Sequence, residues 1–269
     1  MIYHNAVTQT MTITYKGTSV YFTDQGQGST VVLLHGFLEN STIWDAVIES
    51  LVGRYRVVSI DLLGHGNTGC IGYVHTMEQM AEAVKAVLQW LKLRRVSIIG
   101  HSMGGYVALA FAEAYPDQVK ALVLANSTAR ADSPERKANR DRAIEMVKKD
   151  HKTFVRMGIS NLFRPKNRKL FSQEIKILKK EALKTPLQGI VAALEGMKTR
   201  EDREILLHFT PFAKMMILGK KDPVLKYVEV IDQLQNTSVK LIEFADGHMS
   251  FIENKVEFIE EINIFLKNT

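Results

Sequence analysis

The sequence predicts an α/β fold, a mostly parallel eight-stranded sheet flanked by helices, with an inserted helical cap. Three observations predict it. Short, almost wholly apolar runs recur along the chain, helix-length segments alternate with them, and one interval is far too long for an ordinary connection.

Met11–Lys16 and Ser19–Thr23 alternate apolar and polar residues around Gly17, the pattern of an antiparallel hairpin. Thr30–Leu34, Arg56–Ile60, Val96–Ile99, Ala121–Leu124 and Lys214–Leu218 are then apolar almost throughout, and Val239–Phe244 is a more mixed sixth run. Strands without polar alternation suit a parallel sheet covered on both faces. Helix-length segments at Thr42–Leu51, Thr76–Leu91, Met103–Tyr115, Val224–Gln235 and Lys255–Leu266 separate the runs, which implies right-handed crossovers. The long interval lies between Ala121–Leu124 and Lys214–Leu218. It is patterned for helices at Pro134–Asp150, Ser172–Lys184 and Leu187–Lys198. We therefore expect a core domain over 1–128 and 209–269, with a helical cap or lid over 129–208.

The charge follows the same boundary. The 269 residues carry a formal net charge of +6, but Ala129–His208 holds 20 Lys and Arg against 11 Asp and Glu, whereas the remainder holds 15 against 18. The basic character thus belongs to the insertion, as a solvated helical surface or as an attractor of anionic substrates. No nucleic-acid motif accompanies it, so nucleic-acid binding is not expected. Met1–Thr10 lacks a basic start followed by an apolar stretch, and no run approaches the roughly 18 apolar residues of a membrane span. Neither a signal peptide nor integral membrane association is expected. Cys70 is the single cysteine, which excludes an intramolecular disulfide and fits a cytoplasmic protein.

Gly100-His101-Ser102-Met103-Gly104 follows a predicted buried strand and opens a predicted helix. That setting turns a common G-x-S-x-G pentapeptide into a candidate nucleophile elbow. The turn is tight enough that close neighbours must lack side chains, as Gly100 and Gly104 do, and the helix beginning at Met103 points its amides toward an anion formed on a substrate. A serine hydroxyl needs a base, and that base needs an orienting acid. Only His151, His208 and His248 follow Ser102. The first two fall in the inserted segment or at its edge, while His248 follows the Val239–Phe244 run, at the carboxyl end of the sheet where Ser102 also sits. His248 is the expected general base.

For the acid, Asp246 is tethered too closely to His248, and the position after Ala121–Leu124 holds Asn126. Asp222, in the loop after Lys214–Leu218, is left. Its role is to hold the imidazole tautomer and stabilise the imidazolium. Two amide donors for a developing oxyanion are expected from Met103 and Phe37, with Leu38 as the fallback. His35 reads as an ordering residue of that loop. No metal-spaced cluster appears, and neither metal nor organic cofactor is expected.

With these motifs in place, the chain resembles the α/β-hydrolase superfamily over nearly its whole length. The resemblance rests on His35-Gly36-Phe37, Asp61-Leu62-Leu63-Gly64-His65-Gly66, the Ser102 elbow, Gly219-Lys220-Lys221-Asp222-Pro223 and Gly247-His248. It implies that Asp61, His65 and Gly66 are scaffold. Thr68 stands where such chains usually carry Ser. Ser102 sets the chain apart from the dehalogenases and epoxide hydrolases that use Asp, and Phe37-Leu38-Glu39-Asn40 replaces the Gly-Pro-Gly stretch of the carbon–carbon bond hydrolases. The resemblance implies a serine esterase acting on a small-molecule ester or thioester, anionic ones included, through an acyl-enzyme. It also admits a lyase like the menaquinone-pathway pyruvate-eliminating synthase, and a non-catalytic ligand-binding protein on the same scaffold.

Overall fold

The computed structural model describes residues 9–269; residues 1–8, part of the N-terminal stretch and of the first expected core segment, lie outside the described residues. Eight strands form one sheet: β1 (Gln9–Tyr15), β2 (Thr18–Gln25), β3 (Thr30–Leu34), β4 (Arg56–Ile60), β5 (Val96–His101), β6 (Val119–Ala125), β7 (Ala213–Gly219) and β8 (Lys240–Phe244). Their spatial order is β1-β2-β4-β3-β5-β6-β7-β8. β1 and β2 form the expected hairpin, turning through Lys16 and Gly17, both at positive φ, as a type I′ turn requires. β2 also runs antiparallel to β4, and all pairings from β4 onward are parallel.

Alternate residues of each parallel strand feed opposite faces, as strand geometry demands. Val32 and Leu34 of β3, Ile98 of β5 and Leu122 and Leu124 of β6 enter one core cluster, while Val31, Leu33, Ile99, Ala121 and Val123 enter the other. The helices that cover these faces are α1 (Asp45–Leu51), α2 (Met77–Trp90), α3 (Met103–Ala114) and, nearest the C-terminus, a helix at Lys255–Lys267. α2 begins at a capping box between Thr76 and Gln79 and buries Met77, Met80, Ala81, Val84, Val87 and Leu88 as one stripe. Among the described residues no helix is long and apolar enough to cross a membrane.

Between β6 and β7 lie α4 (Pro134–Lys149), α5 (His151–Leu162), α6 (Ser172–Ala182), α7 (Leu187–Lys198) and α8 (Ile205–Phe209); α9 (Tyr227–Asp232), α10 (Ser250–Glu253) and α11 (Lys255–Lys267) complete the chain. α5 does not stand out in the sequence. The carboxylate of Asp150, which ends α4, accepts from the Thr153 amide and starts the next helix. The predicted helix Val224–Gln235 contracts to α9, because Asp222 takes up the amides of Val224 and Leu225 outside a helix. The predicted helix Thr42–Leu51 begins as a single 3₁₀ turn, Ser41–Trp44, capped by Asn40, before α1 starts.

A buried ionic cluster ties α4 and the residues after α7 to the loop that follows β6. Asp132, fully buried, accepts from Arg136 at 3.2 Å and pairs also with Arg140 and Arg200. The Arg200 guanidinium lies 4.0 Å over the ring of Tyr106, one turn into α3. Burial alone would raise the Asp132 pKa, but hydrogen bonds and charge from Arg140 and Arg200 hold it at about 2.

Candidate active site

The carboxyl ends of β3, β5, β6, β7 and β8 align, since Leu34 pairs with Gly100, His101 with Ala125, Ala125 with Ile217 and Gly219 with Phe244. Loops leaving those ends therefore meet on one side of the sheet, the position a parallel sheet gives to its ligands. They carry His35–Glu39, Ser102, Asn126, Asp222 and His248.

Ser102 sits between β5 and α3 with φ 49° and ψ −113°, a strained conformation for a residue with a side chain. The surroundings leave it no alternative. Its amide donates to the Ala125 carbonyl at 2.9 Å, and its carbonyl accepts from Gly105 N at 2.9 Å and Ser127 Oγ at 2.8 Å. A Cβ on Gly100 would lie 2.4 Å from the Gly104 oxygen, and one on Gly104 would lie 2.3 Å from the Leu34 oxygen. Glycine is thus required on both sides by close backbone approach. The Ser102 hydroxyl itself makes no hydrogen bond to a described residue, including His248.

Asp222 and His248, 26 residues apart, are brought together: Nδ1 of His248 lies 2.7 Å from Oδ2 of Asp222. Both side chains are almost fully buried. The carboxylate is satisfied from three further sides, by the amides of Val224 at 2.7 Å and Leu225 at 3.0 Å and by Asn126 Nδ2 at 3.2 Å. Burial would push its pKa up, but the His248 imidazole and the two amides hold it below the usual carboxylate range. Asp222 is thus an ionised acceptor at neutral pH, and the histidine places its Nδ1 proton there.

The rejected candidates have other partners. Asp246 bonds to Arg164 and Asn167 at 3.0 and 2.9 Å. Asn126, where an acid could have stood, donates to both Asp222 and the Gly247 carbonyl. His151 opens α5 and His208 lies in α8; neither bonds to Asp222 or Ser102.

The loop after β3 is shaped by two histidines and a glutamate. His35 donates from Nδ1 to the Gly36 carbonyl at 2.7 Å, and its Nε2 accepts from Leu62 N at 2.9 Å, so it is a neutral structural residue as expected. Leu38 takes φ 64°, turning the loop sharply. The amides of Phe37 and Met103 donate to no acceptor among the described residues. The Met103 side chain is fully buried in the core cluster with Leu38, Val155 and Ile159.

The Asp61–Thr68 loop is scaffold. Asp61 accepts from the amides of Ser41 at 2.7 Å and Asn67 at 2.8 Å. Thr68 Oγ1 donates to the Asp61 carbonyl and accepts from Tyr21 N, so threonine supplies the hydroxyl that serine would. Burial pushes the His65 imidazole down to about 3, which keeps it neutral.

Sequence reasoning missed Glu39. Its Oε2 accepts from the Gly36 amide at 2.6 Å and from Nδ1 of His101 at 2.9 Å, with both side chains about 1% exposed. An acidic residue four positions after His35 is the only sequence signal, and it reads equally as a surface residue.

The alpha/beta hydrolase fold family model matches residues 29–255. The chain belongs to the α/β-hydrolase family. This hydrolase is 28% identical over 263 residues to a pimeloyl-[acyl-carrier protein] methyl ester esterase of Aliivibrio salmonicida, covering 93% of this chain and 97% of that protein. Among solved structures, a thermophilic esterase from Thermogutta terrifontis is 30% identical with a TM-score of 0.89, covering 98% and 99% of the two chains. An enol-lactonase from Burkholderia xenovorans LB400, at 21% identity and a TM-score of 0.88 over 96% of this hydrolase and all of the lactonase, shares the fold.

Proposed function

We propose that this α/β hydrolase cleaves a carboxylic ester or thioester of a small molecule through a Ser102–Asp222–His248 triad. The observation that carries the proposal is the buried 2.7 Å contact between His248 and Asp222 on the same sheet edge as a strained elbow serine. The full-length similarity to proteins named as esterases supports the same reading.

In this mechanism His248 Nε2 removes the proton from Ser102 Oγ as it attacks the acyl carbon, while ionised Asp222 stabilises the imidazolium. The unpartnered amides of Phe37 and Met103 receive the oxyanion. The tetrahedral intermediate collapses and expels the leaving alcohol or thiol, which takes its proton from His248. Water, deprotonated by the same histidine, then releases the acid and frees Ser102. The test is stoichiometric labelling of Ser102 by a fluorophosphonate, with turnover of p-nitrophenyl butyrate that the label abolishes. An unlabelled Ser102 in a chain without turnover overturns the reading.

Asp222→Asn is expected to lower kcat by about 10⁴-fold with little change in folding. The amides of Val224 and Leu225 require an acceptor at Oδ1, so the asparagine must turn its NH₂ toward His248. The histidine then accepts at Nδ1 and carries its proton on Nε2, the tautomer that cannot act as base. Steady-state kinetics on a neutral ester check this.

Residues 129–208 form the cap in this reading, and they set what enters. Between α5 and α6 lies a cavity of about 390 Å³ lined by Arg156, Lys176, Lys179 and Lys180 over Ile175 and Leu183. None of those four cations has a salt-bridge partner among the described residues. The arrangement favours an ester whose remote end is anionic; the Aliivibrio relative's name specifies an ester carried on an acyl-carrier protein. Reversing Lys176, Lys179 and Lys180 to Glu is expected to raise KM about tenfold for a carboxylate-bearing ester at low salt, leaving p-nitrophenyl acetate unaffected. Equal effects on both substrates would remove the groove from substrate selection.

A further inference from the structure

The serine elbow, the loop carrying the Phe37 amide and the loop carrying His248 converge on one buried pair that the triad chemistry does not use. His101 occupies the position before the nucleophile. Its Nδ1 lies 2.9 Å from Glu39 Oε2 and its Nε2 lies 3.0 Å from the main-chain carbonyl of His248. The carbonyl can only accept, and a Glu39 carboxylate that is ionised can only accept as well. With Glu39 ionised, both ring nitrogens donate, which an imidazole does only when it carries two protons.

The rest of the enclosure agrees. Oε2 of Glu39 accepts a second bond from the Gly36 amide at 2.6 Å, directly before Phe37. A Cβ on Gly36 would fall 2.7 Å from that oxygen and 2.8 Å from His101 Nδ1, so only glycine lets the pair close. The His101 ring packs against the His248 ring at 5.0 Å and edge-on to Phe251 at 4.9 Å. Water has no access to either partner, each side chain being about 1% exposed.

We infer that Glu39 and His101 are positioning residues, a permanently ionised buried pair that fixes the Phe37 amide and the His248 backbone relative to Ser102. The inference rests on the ester-hydrolase reading for its catalytic consequence, though not for the state of the pair. A Glu39 carboxylate holds the oxyanion loop through Gly36 and holds His101 by charge. The His101 imidazolium in turn grips the peptide that carries the base. Oxyanion donor and base are thereby tied at opposite ends of one side-chain bridge.

Charge from every side bears on His101. Glu39 lies against Nδ1, ionised Asp222 lies beyond His248, and burial keeps the neighbouring His35 ring neutral. Burial disfavours the imidazolium, but Glu39 and the His248 carbonyl outweigh it and raise the His101 pKa. Burial likewise opposes ionisation of Glu39, whose pKa is nonetheless lowered by His101 and the Gly36 amide. The two shifts run in opposite directions, as an ion pair requires.

The experiment uses the full chain labelled with ¹⁵N-histidine, the His101 signals being assigned through Glu39→Gln. Wild type is expected to show both His101 nitrogens protonated at pH 7.5, and Glu39→Gln to show one of them bare. With p-nitrophenyl butyrate, the same variant is expected to lose kcat on the order of 10²-fold while KM stays within about twofold, because misplaced groups bind substrate but miss the transition state. A single proton on His101 in wild type overturns the inference, and so does wild-type kcat in Glu39→Gln. Should that variant not fold, the wild-type spectrum, with His101 assigned by His101→Asn, decides. The spectrum needs no substrate, so a chain without ester turnover would defeat the functional reading while the pair is still judged on its protons.

Discussion

Ser102→Ala is expected to lower kcat for p-nitrophenyl butyrate by on the order of 10⁴–10⁶-fold, the scale on which acyl-transfer enzymes depend on their nucleophile. Stability should hardly move. The hydroxyl has no hydrogen bond to lose, and alanine inherits the same strained backbone, which is fixed by Ala125, Gly105 and Ser127 rather than by the side chain. Rate and melting temperature thus separate cleanly: a variant that melts like wild type but turns over at a background rate supports a nucleophile. A kcat within tenfold of wild type would leave Ser102 without that role. Substrate binding should survive, since the amides of Phe37 and Met103 remain.

The largest effect on stability is expected far from the triad, at Asp132. Asp132→Asn leaves Arg200, whose side chain is only 2% exposed, facing Tyr106 without a carboxylate. Removing one partner of a buried pair typically costs about 3–5 kcal/mol, which corresponds to a fall in Tm of roughly 10 °C for a chain of this size. The pH dependence carries its own signature. The folded carboxyl is depressed to about 2, so its contribution is fully present above the ordinary aspartate range and is lost as the pH falls through about 2. Wild type should therefore lose stability steeply between about pH 4 and 2, and Asp132→Asn should lose less over that window. Thermal melts of the two proteins across that range check both the size and the sign.

The parallel sheet was legible because its strands are buried on both faces, so each appears as an unbroken apolar run. Six of them, with the Gly17 hairpin, account for all eight strands of the sheet. The strained turn at Ser102 was legible because the elbow has a local signature, and the His248–Asp222 contact because few histidines follow it. Asp222 came from its place after a strand. The helix His151–Leu162 was hidden by its cap, for Asp150 reads as the end of one helix as readily as the start of another. Glu39 and His101 were illegible for a different reason. They stand 62 residues apart, and neither obeys a period. Only the side-by-side pairing of β3 with β5 brings them into contact, and that is a property of sheet order rather than of either segment.

The C-terminal end of α5 has a mechanical consequence. The amide of His248 donates to the Leu162 carbonyl at 3.0 Å, the Arg164 amide donates to Glu253, and Asn167 bonds to both Asp246 and Glu253. The stretch that follows α5 is thereby riveted to the peptide that bears His248. It cannot swing clear at this corner without carrying His248 off its station. Residues 162–167 are thus a fixed point, tied at once to His248, Asp246 and Glu253. A change that loosened this point would shift the end of α5 and the His248 peptide together, so the two are geared at this corner.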